Sequence, residues 1–188
     1  MLSLFTEALG AFLVSRLSDM PENPVASFSL PGDVAGRNAL NIFLSSMVEN
    51  AELNSNEPEY DRSEFGFIKL KPPLRLKCTY IVSVWPSAED RNEAALIQQE
   101  LLSETYRVFT YFSKLPLAFI PVPMRADDLP APVLELPKGE FQNKPEFWTS
   151  NGCVYHTAFS CIATISLPAI QDSYDHIVEE VQADYKLK

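Results

Sequence analysis

Glycine is scarce in this chain, with six among 188 residues. Gly10, Gly32, Gly36, Gly66, Gly139 and Gly152 are scattered and form neither a GxGxxG nor a GxxxxGK spacing, which excludes a phosphate-cradling loop of either type. Cysteine is scarcer still. Cys78, Cys153 and Cys161 are an odd, low number and give no disulfide framework. Cys78 and Cys161 fall inside apolar strand-like runs, where a free thiol acts as a small hydrophobe, in keeping with a reducing compartment. Positive charge is the third shortage. Fifteen Lys and Arg face 25 Asp and Glu, a net charge of −10. That balance argues against nucleic acid or an anionic membrane as partner, since both need clustered cations, and it favours solubility. The densest basic group, Lys69, Lys71, Arg75 and Lys77, surrounds the Pro72-Pro73 pair. No apolar run is long enough to cross a bilayer. The first residues, Met1-Leu2-Ser3-Leu4-Phe5-Thr6-Glu7, lack the basic start of a secretory signal. The expectation is synthesis in the cytoplasm with no classical export.

What the chain does have is apolar residues in regular patterns. Hydrophobic residues make up 46% of it, enough for a core. Leu2, Phe5, Leu9, Phe12 and Leu13 recur at helical spacing and predict a first helix over 2–17. Residues 25–30 predict a short strand before the Pro31-Gly32-Asp33 turn. Over 39–49, Leu40, Ile42, Leu44 and Val48 fall on one side of a strand, with Asn41, Phe43, Ser45 and Met47 on the other. Residues 53–70 are polar and read as a long loop. A second strand follows over 74–85, with Leu76, Cys78, Tyr80, Val82 and Val84 on one face. The strongest helix is 89–114: Ser87 is the expected N-cap, and Ala94, Ile97, Leu101, Thr105, Val108 and Phe112 make an apolar face widened by Leu102 and Phe109. Six prolines between 116 and 137 exclude a helix there and leave short strands at 117–120 and 133–136. Pro145 starts a helical turn that Gly152 ends, and 154–167 is the third major strand. A short acidic helix is expected over 173–185. The order predicts an α+β fold: one domain over 1–168, an antiparallel or mixed sheet with helices on one face, then a tail or arm over 169–188.

Few residues group in a way that carries chemistry. Cys153, His156 and Cys161 are ligand types for zinc, but a structural site needs about four ligands and the only other histidine, His176, lies in the acidic tail. Strand alternation from 154 puts Cys153 and Cys161 on one face and His156 on the other, which also separates Cys153 from a His base. A buried thiol and a surface imidazole is the plainer reading. Asp61, Glu64, Asp127, Asp128 and Glu135 read as solvated loop acids. No catalytic, cofactor-binding or metal-ligating residue is assigned. Trp85, Phe147 and Trp148 stand beside turns, where large aromatics serve either as core-edge packing or as interface anchors. Tyr174, Ile177 and Val181 form the apolar side of the tail helix and complete the candidate interface set.

Three stretches, taken in order, resemble one family. Asn38 to Asn50 is a strand ending in Val48-Glu49-Asn50. After the polar loop, Lys71-Pro72-Pro73-Leu74-Arg75-Leu76 opens a strand containing Tyr80. Then Pro145-Glu146-Phe147-Trp148-Thr149-Ser150-Asn151-Gly152 precedes the last long strand. Their order and spacing are similar to the N-terminal domain of the cap or tube-terminator family of extracellular contractile injection systems of the antifeeding-prophage type. The resemblance implies a structural protein and not an enzyme: a six-fold ring of copies that ends the inner tube and joins it to the sheath, with tube and sheath proteins as partners and no cofactor. The loop over 53–70 and the tail match no part of that pattern and are expected to set which neighbour is bound. The alternatives are an adaptor in the cap or baseplate of the same particle, and a small Cys/His or metal-dependent hydrolase.

Overall fold

The computed structural model describes residues 1–20, 23–34, 38–54, 59–63, 66–70, 72–125, 129–137 and 145–168. Helix α1 spans Leu2–Arg16 and buries Phe5, Leu9, Phe12 and Leu13, the residues that the 3.6-residue spacing selects. Strand β1 is Val25–Ser27, shorter than expected because a 3-10 turn at Pro31–Asp33 follows closely. Strand β2, Ala39–Glu49, and strand β5, Leu74–Trp85, are the long strands that alternation predicts. Between them the expected loop is instead a hairpin. Strand β3, Glu59–Ser63, pairs antiparallel with β4, Gly66–Leu70. The two form a sheet of their own. The sequence hid them because Tyr60 is the one apolar residue of the first and Phe67 and Ile68 stand side by side in the second, so neither shows a clear period of two.

Helix α2 spans Arg91–Tyr111. Its N-cap is Asp90, not Ser87: the Asp90 Oδ1 accepts from the backbone N–H of Asn92 and of Glu93, both at 2.9 Å. Ser87 is used elsewhere, its N–H donating to Asn38 Oδ1 at 2.8 Å. The expected strand at 117–120 is a pair of turns, with Phe119 N–H on Pro116 O and Ile120 N–H on Leu117 O. Strand β6 is Val133–Glu135, helix α3 is Pro145–Ser150 and strand β7 is Ala158–Leu167. Gly152 closes α3 at φ +70°, a left-handed conformation that glycine adopts without strain.

The main sheet has the order β1-β2-β5-β7-β6. It is antiparallel except for β1, which runs parallel to β2 over Val25–Ser27 and Ala39–Asn41 only. Asn41 is fully buried at that junction. With its amide nitrogen turned toward the first strand it donates to Ser27 O at 3.0 Å and Ser29 O at 3.3 Å. Helices α1 and α2 cover one face of the sheet. Their apolar sides meet Leu40, Ile42, Tyr80, Val82, Cys161 and Ile165 in a single core. The Tyr80 hydroxyl, on that face, lies 2.8 Å from the hydroxyl of Thr6 on α1. Phe12 meets Phe112 and Phe119 edge-on at 5.2 and 5.3 Å, tying α1 to the end of α2 and the turn beyond.

One irregularity alters the expected facing of β2. Its register against β5 shifts between Leu44 and Ser46, a bulge at which Ser45 Oγ donates to Thr79 O at 3.0 Å. Beyond it Val48 stands opposite Lys77 rather than in the Leu40–Ile42–Leu44 series, and Met47 takes the place opposite Cys78. A strict period of two does not survive one extra residue.

Candidate assembly surface

The second face of the sheet carries Asn41 and Phe43 from β2, Lys77, Thr79, Ile81, Ser83 and Trp85 from β5, and Ala158, Ser160, Ile162 and Thr164 from β7. No long helix covers it among the described residues; only the short α3 does so, and at one end. Proline at the first position suits the start of that helix, and Trp148 points down from it. Trp148 is 0% exposed and packs with Ile81 and Cys153, with Trp85, Phe147 and Ala158 around them. An indole of this size fills the gap between a one-turn helix and the sheet.

Around this plug runs a chain of ring contacts. Phe147 meets Trp148 edge-on at 5.2 Å and Phe43 at 6.1 Å. His156 stacks flat on Trp85, centroids 4.1 Å apart and planes within 6°. The Trp85 indole N–H donates to Ser83 Oγ at 3.0 Å. The Val84 carbonyl accepts from His156 Nε2 at 2.8 Å and from the Gln98 amide at 3.2 Å, and the two side chains lie 2.6 Å apart. Burial lowers the His156 pKa, and the bond to the Val84 carbonyl opposes the shift. The imidazole is thus a neutral, half-buried wedge between β5 and α2, not the surface imidazole that alternation suggests.

The same segment corrects the expected pairing of cysteines. Strand β7 begins at Ala158, not at 154, because Cys153 N–H is taken by Trp148 O at 2.8 Å and the chain leaves the sheet there. Cys153 therefore joins the Trp148 cluster on the second face while Cys161 lies in the main core on the first. Both thiols are pushed up in pKa by burial, Cys153 also by the Asp33 carboxylate. Cys78, in the main core, rises to about 11 for the same reason of burial. Thiols held protonated in this way are poor nucleophiles and poor metal ligands. No cluster of three or more His, Cys, Asp or Glu side chains with metal-binding proximity occurs among the described residues. No helix among them is long and apolar enough to cross a membrane.

Of the candidate interface residues, Trp85 and Phe147 are half-buried and Trp148 is enclosed by its own chain, so Trp148 backs the surface instead of forming it. Tyr174, Ile177 and Val181 lie outside the described residues. Two apolar residues that sequence reasoning passed over stand beside this group. Val154 is 86% and Tyr155 54% exposed, on the loop between Cys153 and His156. Reading 154–167 as one strand hid them, since it assigned half of those side chains to the core. Their position directly after a helix-ending glycine was the available signal. An exposed apolar pair flanked by a rigid aromatic cluster can anchor a protein contact with little entropic loss; it offers no group for bond-making chemistry.

Comparison with known proteins gives one consistent result. A family model described as the Pvc16 N-terminal domain matches residues 5–178. Two solved structures share the fold. The sheath/tube terminator of an extracellular contractile injection system, PVC, in its extended state aligns with a TM-score of 0.66 and 18% identity, covering 100% of this chain and 65% of that one. The anti-feeding prophage cap, a tube-terminating cap, aligns with a TM-score of 0.62 and 18% identity, covering 91% of this chain and 58% of that one. The chain thus spans about three fifths of the length of these relatives. No curated protein matches it.

Proposed function

Because the chain belongs to the Pvc16 N-terminal domain family, we propose that it is a structural terminator of a contractile injection particle. Copies of it form a ring, with six as the expected number, that ends the inner tube and joins it to the sheath. It is built in the cytoplasm and performs no catalysis. The observation that carries this reading is the family match over almost the whole chain. The two solved terminators of the same fold support it. The surface described above suits it: copies in a ring meet through two different patches, and each needs a rigid apolar anchor. Val154 and Tyr155, exposed between Cys153 and His156, which both pack in the aromatic cluster, form one such patch. The β3–β4 hairpin, paired only with itself in the sheet order, is an arm of the kind that reaches a neighbouring subunit or the sheath.

The test is assembly of the particle from tube, sheath and this chain, viewed by electron microscopy. With the chain present, rings are expected on tube ends and tube length is bounded; without it, tubes run on. The pair Val154→Ser and Tyr155→Ser is expected to abolish rings without lowering the Tm. A strict monomer that binds one other particle component and never caps a tube refutes the terminator role in favour of an adaptor.

A further inference from the structure

The second face of the sheet is only half used by the aromatic cluster. At its other end lies an open cleft of about 670 Å³. Its floor follows a single row across four strands: Val48 on β2, Lys77 on β5, Thr164 on β7 and Val133 on β6 are successive partners. Arg75 and Lys114 also line it, as does Leu53. Val48 is 52% and Leu53 53% exposed, so the cleft has an uncovered apolar floor. Among the described residues, Arg75, Lys77 and Lys114 make no salt bridge. Glu49, Glu52 and Glu135 share the lining, and Glu49 is held by the Asn54 amide at 2.6 Å. Three cations and three acids make this cleft neutral on a chain of net charge −10.

We infer that this cleft is the seat of the chain's own C-terminal segment, residues 169–188. Strand β7 ends beside the cleft: Ser166 is opposite Arg75 and Thr164 opposite Lys77. From Pro168 back to the Thr164 row is about 13 Å along a strand. The six residue steps from Pro168 to Tyr174 span up to about 20 Å, which is enough to turn back over this face. The segment carries Asp172, Asp175, Glu179, Glu180 and Asp184 with Tyr174, Ile177, Val178 and Val181. Those apolar residues recur at helical spacing, and a helix of 13 residues is about 20 Å long. The row of four strands is about 14 Å wide. Apolar residues of the segment meet Val48, Leu53 and Val133, and its acids meet the three cations. A neutral cleft is also where a negative segment meets least repulsion from the rest of the chain. Tethering gives the chain's own segment a millimolar effective concentration, which favours it over the same segment of another copy.

The inference stands apart from the terminator role and is tested on the full chain in dilute solution. Tyr174→benzoylphenylalanine places a photo-reactive group in the segment. Mixing heavy-isotope-labelled and unlabelled chains then separates links within a chain from links between chains. The expected products are intrachain links to peptides containing Val48 to Leu53, Arg75 to Lys77 or Pro130 to Glu135. Their yield is expected to fall several-fold in 500 mM salt, and likewise with Arg75→Glu combined with Lys77→Glu in a chain of unchanged circular dichroism. Links to another copy, links elsewhere on the chain, no links, or a yield indifferent to salt each overturn the inference. Failure of the chain to cap tubes leaves all of these outcomes readable.

Discussion

His156 shows how one side chain can serve position rather than chemistry. It is flat against Trp85, bonded to the Val84 carbonyl and flanked by Gln98. Its folded pKa lies below the ordinary value of about 6.5 because burial disfavours the imidazolium. The unfolded chain therefore takes up this proton at a higher pH than the folded chain does. The stabilising contribution is complete above about 6.5 and is lost as pH falls through that value toward the folded pKa. Between pH 8 and 5 the wild-type chain is expected to lose stability relative to His156→Gln, as read by urea denaturation of both. His176 is present in both chains and cancels. Parallel pH profiles would show that the ring never senses its burial. Cysteine chemistry at this scale points the same way: the three thiols are buried and held protonated, so they contribute volume and not reactivity.

At the scale of elements, helix α2 depends on its first turn. Asp90 satisfies two backbone N–H groups that would otherwise face water alone. Asp90→Ala is expected to cost about 1 kcal/mol in thermal or urea unfolding. Ser87→Ala, which removes a hydroxyl 3.2 Å from Asn38 Oδ1 and leaves the backbone bond intact, is expected to cost less. If Ser87→Ala proves the more damaging, the helix begins where the sequence alone suggested. Strands β2 and β5 and helices α1 and α2 were legible from residues such as Leu40, Ile42, Tyr80, Val82, Phe5 and Leu101, because each buries a full apolar period. What escaped were features with no such period. The Leu44/Ser46 bulge depends on one backbone shift, the β3–β4 hairpin has apolar residues that do not alternate regularly, and the loop before β7 is held by the bond of Cys153 N–H to Trp148 O. The candidate surface was half legible. Trp85, Phe147 and Trp148 stood out by size, but which of them faces outward depends on packing across the sheet. Val154 and Tyr155 were concealed by an overlong strand.

For the whole molecule, charge sets the conditions of association. Copies carrying −10 each repel, so the proposed ring would be opposed by electrostatics and would have to be held by apolar contact. Raising salt from 50 to 500 mM screens that repulsion, with the Debye length falling from roughly 14 to 4 Å. Ring population, measured by sedimentation, is expected to rise over this range. A population that falls instead would mean that ion pairs between copies hold the ring. The strand order has one more effect at this scale. β1 covers three residues of β2 and leaves its remaining flank without a partner among the described residues. Backbone groups along Phe43 to Glu49 that lack a strand partner among the described residues are a template for pairing with an extended chain, and so for fibril growth. The bulge at Ser45 and the charge of Glu49 are the guards against it. Swapping Glu49 for an isoleucine would strip one of them, making storage in isolation, rather than folding, the step that fails.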